Sequence, residues 1–181
     1  MSLKNTYQDY GAISKLLHLL VALSVIGMLV IGFFMDDIKF IVPNVGAIHK
    51  VTGLIVLSLA GLMILWETFN QKPAYPITMP RWQQILAKTI QHSLLLLIIL
   101  MPLSGWIMAT AAGKPPAILG FALPMPFIPQ SHGLKEFFGQ THSVLAWIIL
   151  AFVSIHALGA IKHWIIDKDG IMQRMWCIHR R

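Results

Sequence analysis

The sequence predicts an all-α integral membrane protein, a four-helix up-down bundle with both termini cytoplasmic. Three observations carry this reading. Of 181 residues, 56% are hydrophobic and only 12% charged, against about 25% charged in soluble domains. Four apolar runs are each long enough to cross a hydrocarbon core ~30 Å thick. The Lys and Arg residues, 14 in all, flank those runs unevenly. The net charge of +7 therefore reads as topology and lipid contact, and no nucleic-acid partner is expected. The chain reads as one domain, 1–181, with spans at about 14–35, 45–67, 85–111 and 142–166.

Taken in order, Leu16 to Met35 is the first span, and His18 is its only ionisable residue. The preceding MSLKNTYQDYGAISK is too polar for a cleaved signal peptide, so this helix is expected to stay in the protein. Asp36, Asp37 and Lys39 end it, and Pro43-Asn44 marks a turn. Val45 to Trp66 is the second span, with His49 and Lys50 near its start. Phe69 to Arg81 carries Pro73, Pro76 and Pro80 and reads as an extended surface linker. Gln83 to Ala112 holds the third span, with His92 early and a kink or break expected at Pro102. Gly113 to Gln140 is too rich in Pro and Gly to span again. It reads as a structured loop on the membrane surface, with a short helix at Leu134 to Phe138. Gly139 to Lys168 is the fourth helix and carries His142, His156 and His163. A basic tail, Gln173 to Arg181, suits an anchor to anionic lipid. The lone Cys177 permits no disulfide within the chain, and no CxxCH haem-attachment motif is present.

Orientation follows from the basic residues. Lys4, Lys15, Lys72, Arg81, Lys88, Lys162, Lys168, Arg174, Arg180 and Arg181 fall on one side, and Lys39, Lys50, Lys114 and Lys135 on the other. The positive-inside rule makes the richer side cytoplasmic and turns the Pro/Phe-rich loop outward.

The histidines carry the chemistry. His142 and His156 are fourteen residues apart, which at ~100° and ~1.5 Å per residue leaves them ~40° apart in azimuth and ~21 Å apart along the axis. Histidine inside a span is rare and usually functional. The fourth helix runs inward, so His142 lies near the outer surface and His156 toward the inner one. His49, at the outer start of the second helix, is level with His142. His18, near the inner start of the first, is level with His156. Two imidazoles facing each other in a bundle core suit haem iron, with one axial nitrogen from each side. An iron filled on both sides carries single electrons and does not bind oxygen. Zinc or copper would want further close ligands, and no Cys, Asp or Glu is placed near either pair. Gly53, Gly139 and Gly159 are small residues that could admit a flat macrocycle.

At this point nearly the whole chain resembles the bacterial cytochrome b561 family of di-haem inner-membrane cytochromes. The resemblance lies in YGAISKLLHLL with His18, AIHKVTGLIVL with His49, TAAGKPPAILGF, QTHSVLAW with His142, and HALGAIKHWIIDKDGIMQRM with His156 and His163. It implies two non-covalent b-type haems with axial ligands His18, His49, His142 and His156, paired as His49/His142 and His18/His156. It also implies electron transfer between an outer-face donor, superoxide in one form of the activity, and the ubiquinone pool. The family often has arginine in the inner half of the second helix. Here LMILWETF has Met63 and Glu67, so inner haem carboxylates would lean on Lys15, Lys88, Lys162 or His163.

Other residues have plainer readings beside functional ones. His163 and His92 are candidates for carboxylate contact or proton transfer, or for simple interfacial bonds. Lys50 stands beside a ligand position, and Lys162 is a further candidate for carboxylate contact; Lys50, Lys114 and Lys135 could draw an anion. Trp66, Trp106, Trp147 and Trp164 suit an aromatic belt. Two further functions stay open. One is a membrane carrier subunit docking a soluble dehydrogenase or hydrogenase as redox partner. The other is a haem-free transporter using a histidine relay.

Overall fold

The computed structural model describes residues 2–175. The expectations for Cys177 and for the basic tail beyond Met175 lie outside the described residues. Four long apolar helices form the body: α1 (Ala12–Phe33), α3 (Val45–Thr68), α4 (Arg81–Ala111) and α5 (His132–Lys162). A short α2 (Met35–Ile38) follows α1, and the pair β1 (Ala117–Ile118) and β2 (Phe121–Ala122) forms a small antiparallel hairpin between α4 and α5. A π-helical turn, His163–Asp167, ends α5, and α6 (Ile171–Met175) closes the described chain.

The buried cluster is built from helical spacings. Val21 and Val25 come from α1, Val56 and Ala60 from α3, Ile90, Leu94 and Ile98 from α4, and Ile149 from α5. Residues four apart lie on one face, so each helix offers a narrow stripe to its neighbours. The opposite faces stay apolar and exposed, as with Leu19, Leu23, Ile26 and Val30 on α1. In a bilayer those faces meet lipid, and packing at the stripe supplies the association. α4 is the most enclosed helix. It packs along α5 and α3, while α1 packs on α3; direct backbone approach of α5 to α1 or α3 is sparse.

Two features differ from expectation. The fourth helix starts at His132, so the short helix foreseen at Leu134 to Phe138 is its first turns. Ser131 caps it, accepting from the Leu134 N–H, while its own N–H donates to the Ala111 carbonyl. The helix therefore stands out beyond its apolar stretch. α4 is continuous through Pro102, with no break.

At the other end the N-terminal arm folds onto the bundle. Asn5 Oδ1 accepts from the Gly11 N–H at 2.9 Å and the Ser14 hydroxyl at 2.6 Å. Trp66 Nε1 donates to Ser14 Oγ at 2.9 Å, tying α1 to α3. Asn5 Nδ2 donates to the Gln71 carbonyl, and the Ala74 N–H to the Tyr7 carbonyl. The linker after α3 is thus extended and pinned against the arm. Gly11 makes this possible, since a Cβ there would stand 2.4 Å from the Leu3 carbonyl oxygen. Gly11→Ala is expected to dislodge the arm and lower the thermal midpoint by several degrees, about 1–3 kcal/mol of overpacking. Limited proteolysis before Ala12 should speed up; an unchanged cleavage rate would count against the role of the arm.

Candidate functional site: facing imidazoles between separated helices

The structure brings the four span histidines together as two pairs. His18 of α1 faces His156 of α5, with ring centroids 6.2 Å apart and planes at 54°. His49 of α3 faces His142 of α5, again at 6.2 Å, with planes at 77°. A ring nitrogen lies about 1.1 Å from its centroid. Two nitrogens pointing at each other would then be about 4 Å apart, twice a metal–imidazole bond of about 2 Å. That is too wide for a direct N–H···N bond of about 2.9 Å. Both gaps have the width of one metal atom held from two sides.

Helix packing keeps these gaps open. α5 is held by α4 and not by the helices that carry the facing histidines. Around the His49/His142 pair this leaves a cavity of about 760 Å³, lined by His49, His142, Gly32, Gly53, Phe33 and Trp147 among others. Phe33 of α1 and Trp147 of α5 meet across its wall, with ring centroids 4.7 Å apart. The size suits a cofactor that must be largely enclosed. His49 Nδ1 is buried with no hydrogen-bond partner among the described residues. A buried polar atom of this kind costs stability unless something satisfies it.

The His49/His142 pair has a supporting layer that sequence reasoning missed. His142 Nδ1 lies 3.1 Å from the Met101 carbonyl and 3.0 Å from Ser104 Oγ. A carbonyl only accepts, so Nδ1 carries the proton and Nε2 keeps the lone pair a metal needs. The Ser104 hydroxyl donates to the same carbonyl at 2.7 Å. Gly105 completes the seat, because a Cβ there would stand 2.9 Å from His142 Cε1. The glycines singled out from sequence were Gly53, Gly139 and Gly159. Gly105 and Gly32, 3.5 Å from His49 Cε1, are the ones closest to the imidazoles. The available signal was SG on α4, about two turns from its end, at the depth of His142.

Other predicted residues fall as follows. Lys50 Nζ donates to the Lys114 carbonyl at 2.8 Å, which fixes it at the rim of the His49/His142 cavity. His92 is exposed on α4 and makes no hydrogen bond to the described residues. Lys162 and His163 are already engaged. Lys162 Nζ lies 2.5 Å from Asp167 Oδ2, and His163 Nδ1 lies 3.0 Å from Asp167 Oδ2 and 2.7 Å from Asp169 Oδ2. Neither acidic residue was singled out from sequence. Glu67 pairs with Lys72 at 3.0 Å. Nearby, burial pushes the Tyr10 hydroxyl above its ordinary pKa; Tyr75 and Glu67 add to this and Arg174 opposes it.

The fold and this site define a class: a membrane-spanning helical bundle that holds paired imidazoles in gaps between its helices. The chain belongs to the prokaryotic cytochrome b561 family, which matches it over residues 9–177. It is also similar to a protein of Escherichia coli (strain K12) named cytochrome b561 homolog 2. The two are 28% identical over 178 residues, 97% of this chain and 95% of that one. Membership makes the chain a b-type haem electron-transfer protein, multi-pass in the bacterial inner membrane. The residues present fit such a group: paired imidazoles with centroids 6.2 Å apart, and a cavity of matching scale beside His49 and His142.

Proposed function

We propose that the chain holds two b-type haems, one between His49 and His142 and one between His18 and His156, and relays electrons across the membrane. The observation that carries this is the common 6.2 Å spacing of both pairs. Bound there, the haems would supply one-electron exchange with no open coordination position. The role of the protein is to hold and tune. α5 contributes one imidazole to each site, which fixes their separation at ~21 Å along its axis. Met101 and Ser104 orient His142, as ligand-orienting partners do at metal sites.

The basic residues support an orientation with both termini cytoplasmic and the His49/His142 pair outside. In that frame Lys50 stands at the outer rim, with Lys114 and Lys135 on the loop beyond. Their positive potential would draw an anion toward the outer site. Superoxide is the donor this arrangement suits, and ubiquinone at the inner end is the acceptor. Two superoxide anions give two dioxygen molecules, and one quinone takes the two electrons with two protons from the inner face.

A second reading has its own support. Leu119 and Phe127 on the outer loop are almost fully exposed, with positive φ of 51° and 63° that few non-glycine residues adopt. An apolar tip of this kind would suit a docked dehydrogenase or hydrogenase, with the chain as its carrier subunit. Mixing the purified, oxidised protein with superoxide alone separates the two. Haem reduction at a rate that falls on raising ionic strength supports the first reading. Reduction only in the presence of a partner protein supports the second.

His142→Ala should leave one haem per chain, counted by pyridine haemochrome; two retained haems would refute the pairing. Gly105→Ala should disturb the same haem by pushing the ring, lowering its occupancy or shifting its low-spin signal. Ser104→Ala, which keeps the carbonyl contact, should retain both haems with a smaller change in potential.

A further inference from the structure

At the inner end of α5 the chain makes a tight local structure. The α-helix gives way to a π turn over His163–Asp167, and Lys168 then adopts a left-handed conformation, φ 51°. The reversal carries Asp169 back onto the helix end. Its Oδ2 lies 2.7 Å from His163 Nδ1, and its Oδ1 accepts from the Ile171 N–H at 3.1 Å. Asp167 Oδ2 lies 3.0 Å from the same nitrogen and is held by Lys162 at 2.5 Å. The side chain of Asp169 is 5% exposed and that of His163 13%, while Asp167 reaches 26%. α6 packs against this turn, and its Arg174 donates to the Ala74 carbonyl instead.

His163 Nδ1, Asp167 Oδ2 and Asp169 Oδ2 lie within 4.8 Å of one another. A proton accounts for them better than a metal ion does. Lys162 already neutralises Asp167, the backbone occupies the second oxygen of Asp169, and both remaining contacts have hydrogen-bond length. Ionised carboxylates only accept, so Nδ1 carries the proton. Any proton that His163 gains or gives must then move at Nε2. His163 is also two turns beyond His156, ~20° away in azimuth and ~10 Å further along the axis.

We propose that Asp169 is a positioning residue: it holds His163 with Nδ1 protonated and Nε2 presented, so that His163 delivers protons to the quinone reduced at the inner end. This rests on the reading above that a quinone accepts electrons there. Quinone reduction to quinol consumes two electrons, which arrive through the haems, and two protons. His163 passes the protons singly from Nε2 and is recharged from water on the inner face, where Asp167 is the most open member of the cluster. The dyad has the logic of a carboxylate fixing the tautomer of a general acid–base histidine.

The test is stopped-flow reoxidation of the pre-reduced holoprotein by ubiquinone-1. Asp169→Asn keeps an oxygen for the Ile171 N–H but removes the charged acceptor of Nδ1–H. Its maximal reoxidation rate should fall at least tenfold, with half-saturation, haem content and dithionite reduction unchanged. Asp169→Glu should recover part of the rate. His163→Ala should fall as far or further, and the double variant should be no slower than His163→Ala, since the two act as one unit. A wild-type rate in Asp169→Asn, or effects that multiply in the double variant, would overturn the proposal. If the wild-type protein is not reoxidised by ubiquinone-1, the acceptor reading fails and the proposal fails with it.

Discussion

The constraint on which everything else rests is that α5 must stand away from α1 and α3 while staying rigidly placed. On the proposed reading, two helices that carry facing imidazoles cannot pack side by side, because the gap between the rings would have to admit a ligand. Nor could they drift, because a group held between two imidazoles would tolerate little error in their 6.2 Å spacing. The fold meets both demands with α4. It packs closely along α5 on one side and α3 on the other, with Ile90, Leu94 and Ile98 in the shared core. α1 is then set by α3. The width of both histidine gaps thus depends on contacts made elsewhere.

This explains why α4, which contributes no paired histidine, is the most enclosed helix and holds the second layer of the site. Its Met101 carbonyl and Ser104 hydroxyl orient His142, and Gly105 lets that ring lie against the helix. The interaction that sets the spacing and the interaction that sets the tautomer therefore come from one rigid element. The two ends of the bundle differ in how they are closed. A hairpin loop tied to α4 covers the end at His49 and His142, with Trp106 Nε1 donating to the Leu123 carbonyl and the Met125 N–H to Thr110 Oγ1. The opposite end is covered by three segments far apart in sequence: the N-terminal arm, the linker after α3, and α6.

Sequence alone carried the parts that follow from periodicity. Four apolar runs gave four spans, and fourteen residues between His142 and His156 gave a shared face at two depths. Pairing by depth then singled out His49 and His18, and the structure puts the same residues opposite each other. What sequence did not carry was set by tertiary contact. The start of α5 at His132 depends on Ser131 reaching back to Ala111, although a serine before a helical run was itself a visible capping signal. The seat of His142 depends on which face of α4 meets α5. The return of Asp169 to His163 depends on a π turn and a left-handed Lys168, neither of which has a pattern in hydropathy.

The departure at Glu67 shows how such contacts alter a conclusion drawn by position. An acidic residue where relatives often carry arginine looks like a reversal of charge beside the inner pair. In the fold Glu67 is matched by Lys72, five residues further along the chain, so its charge is answered locally. Lys162 and His163, the neighbouring candidates by sequence, are committed to Asp167 and Asp169. The cation that arrives at this end is Arg174 of α6, one hundred residues from the linker carbonyl it grips. Its Nε is buried without a partner among the described residues. A guanidinium left partly unsatisfied in such a place raises the local positive potential more than an exposed lysine does. Arg174 therefore reaches this end of the bundle through the way α6 folds back, and the turn that folds it back is the one that seats Asp169 on His163.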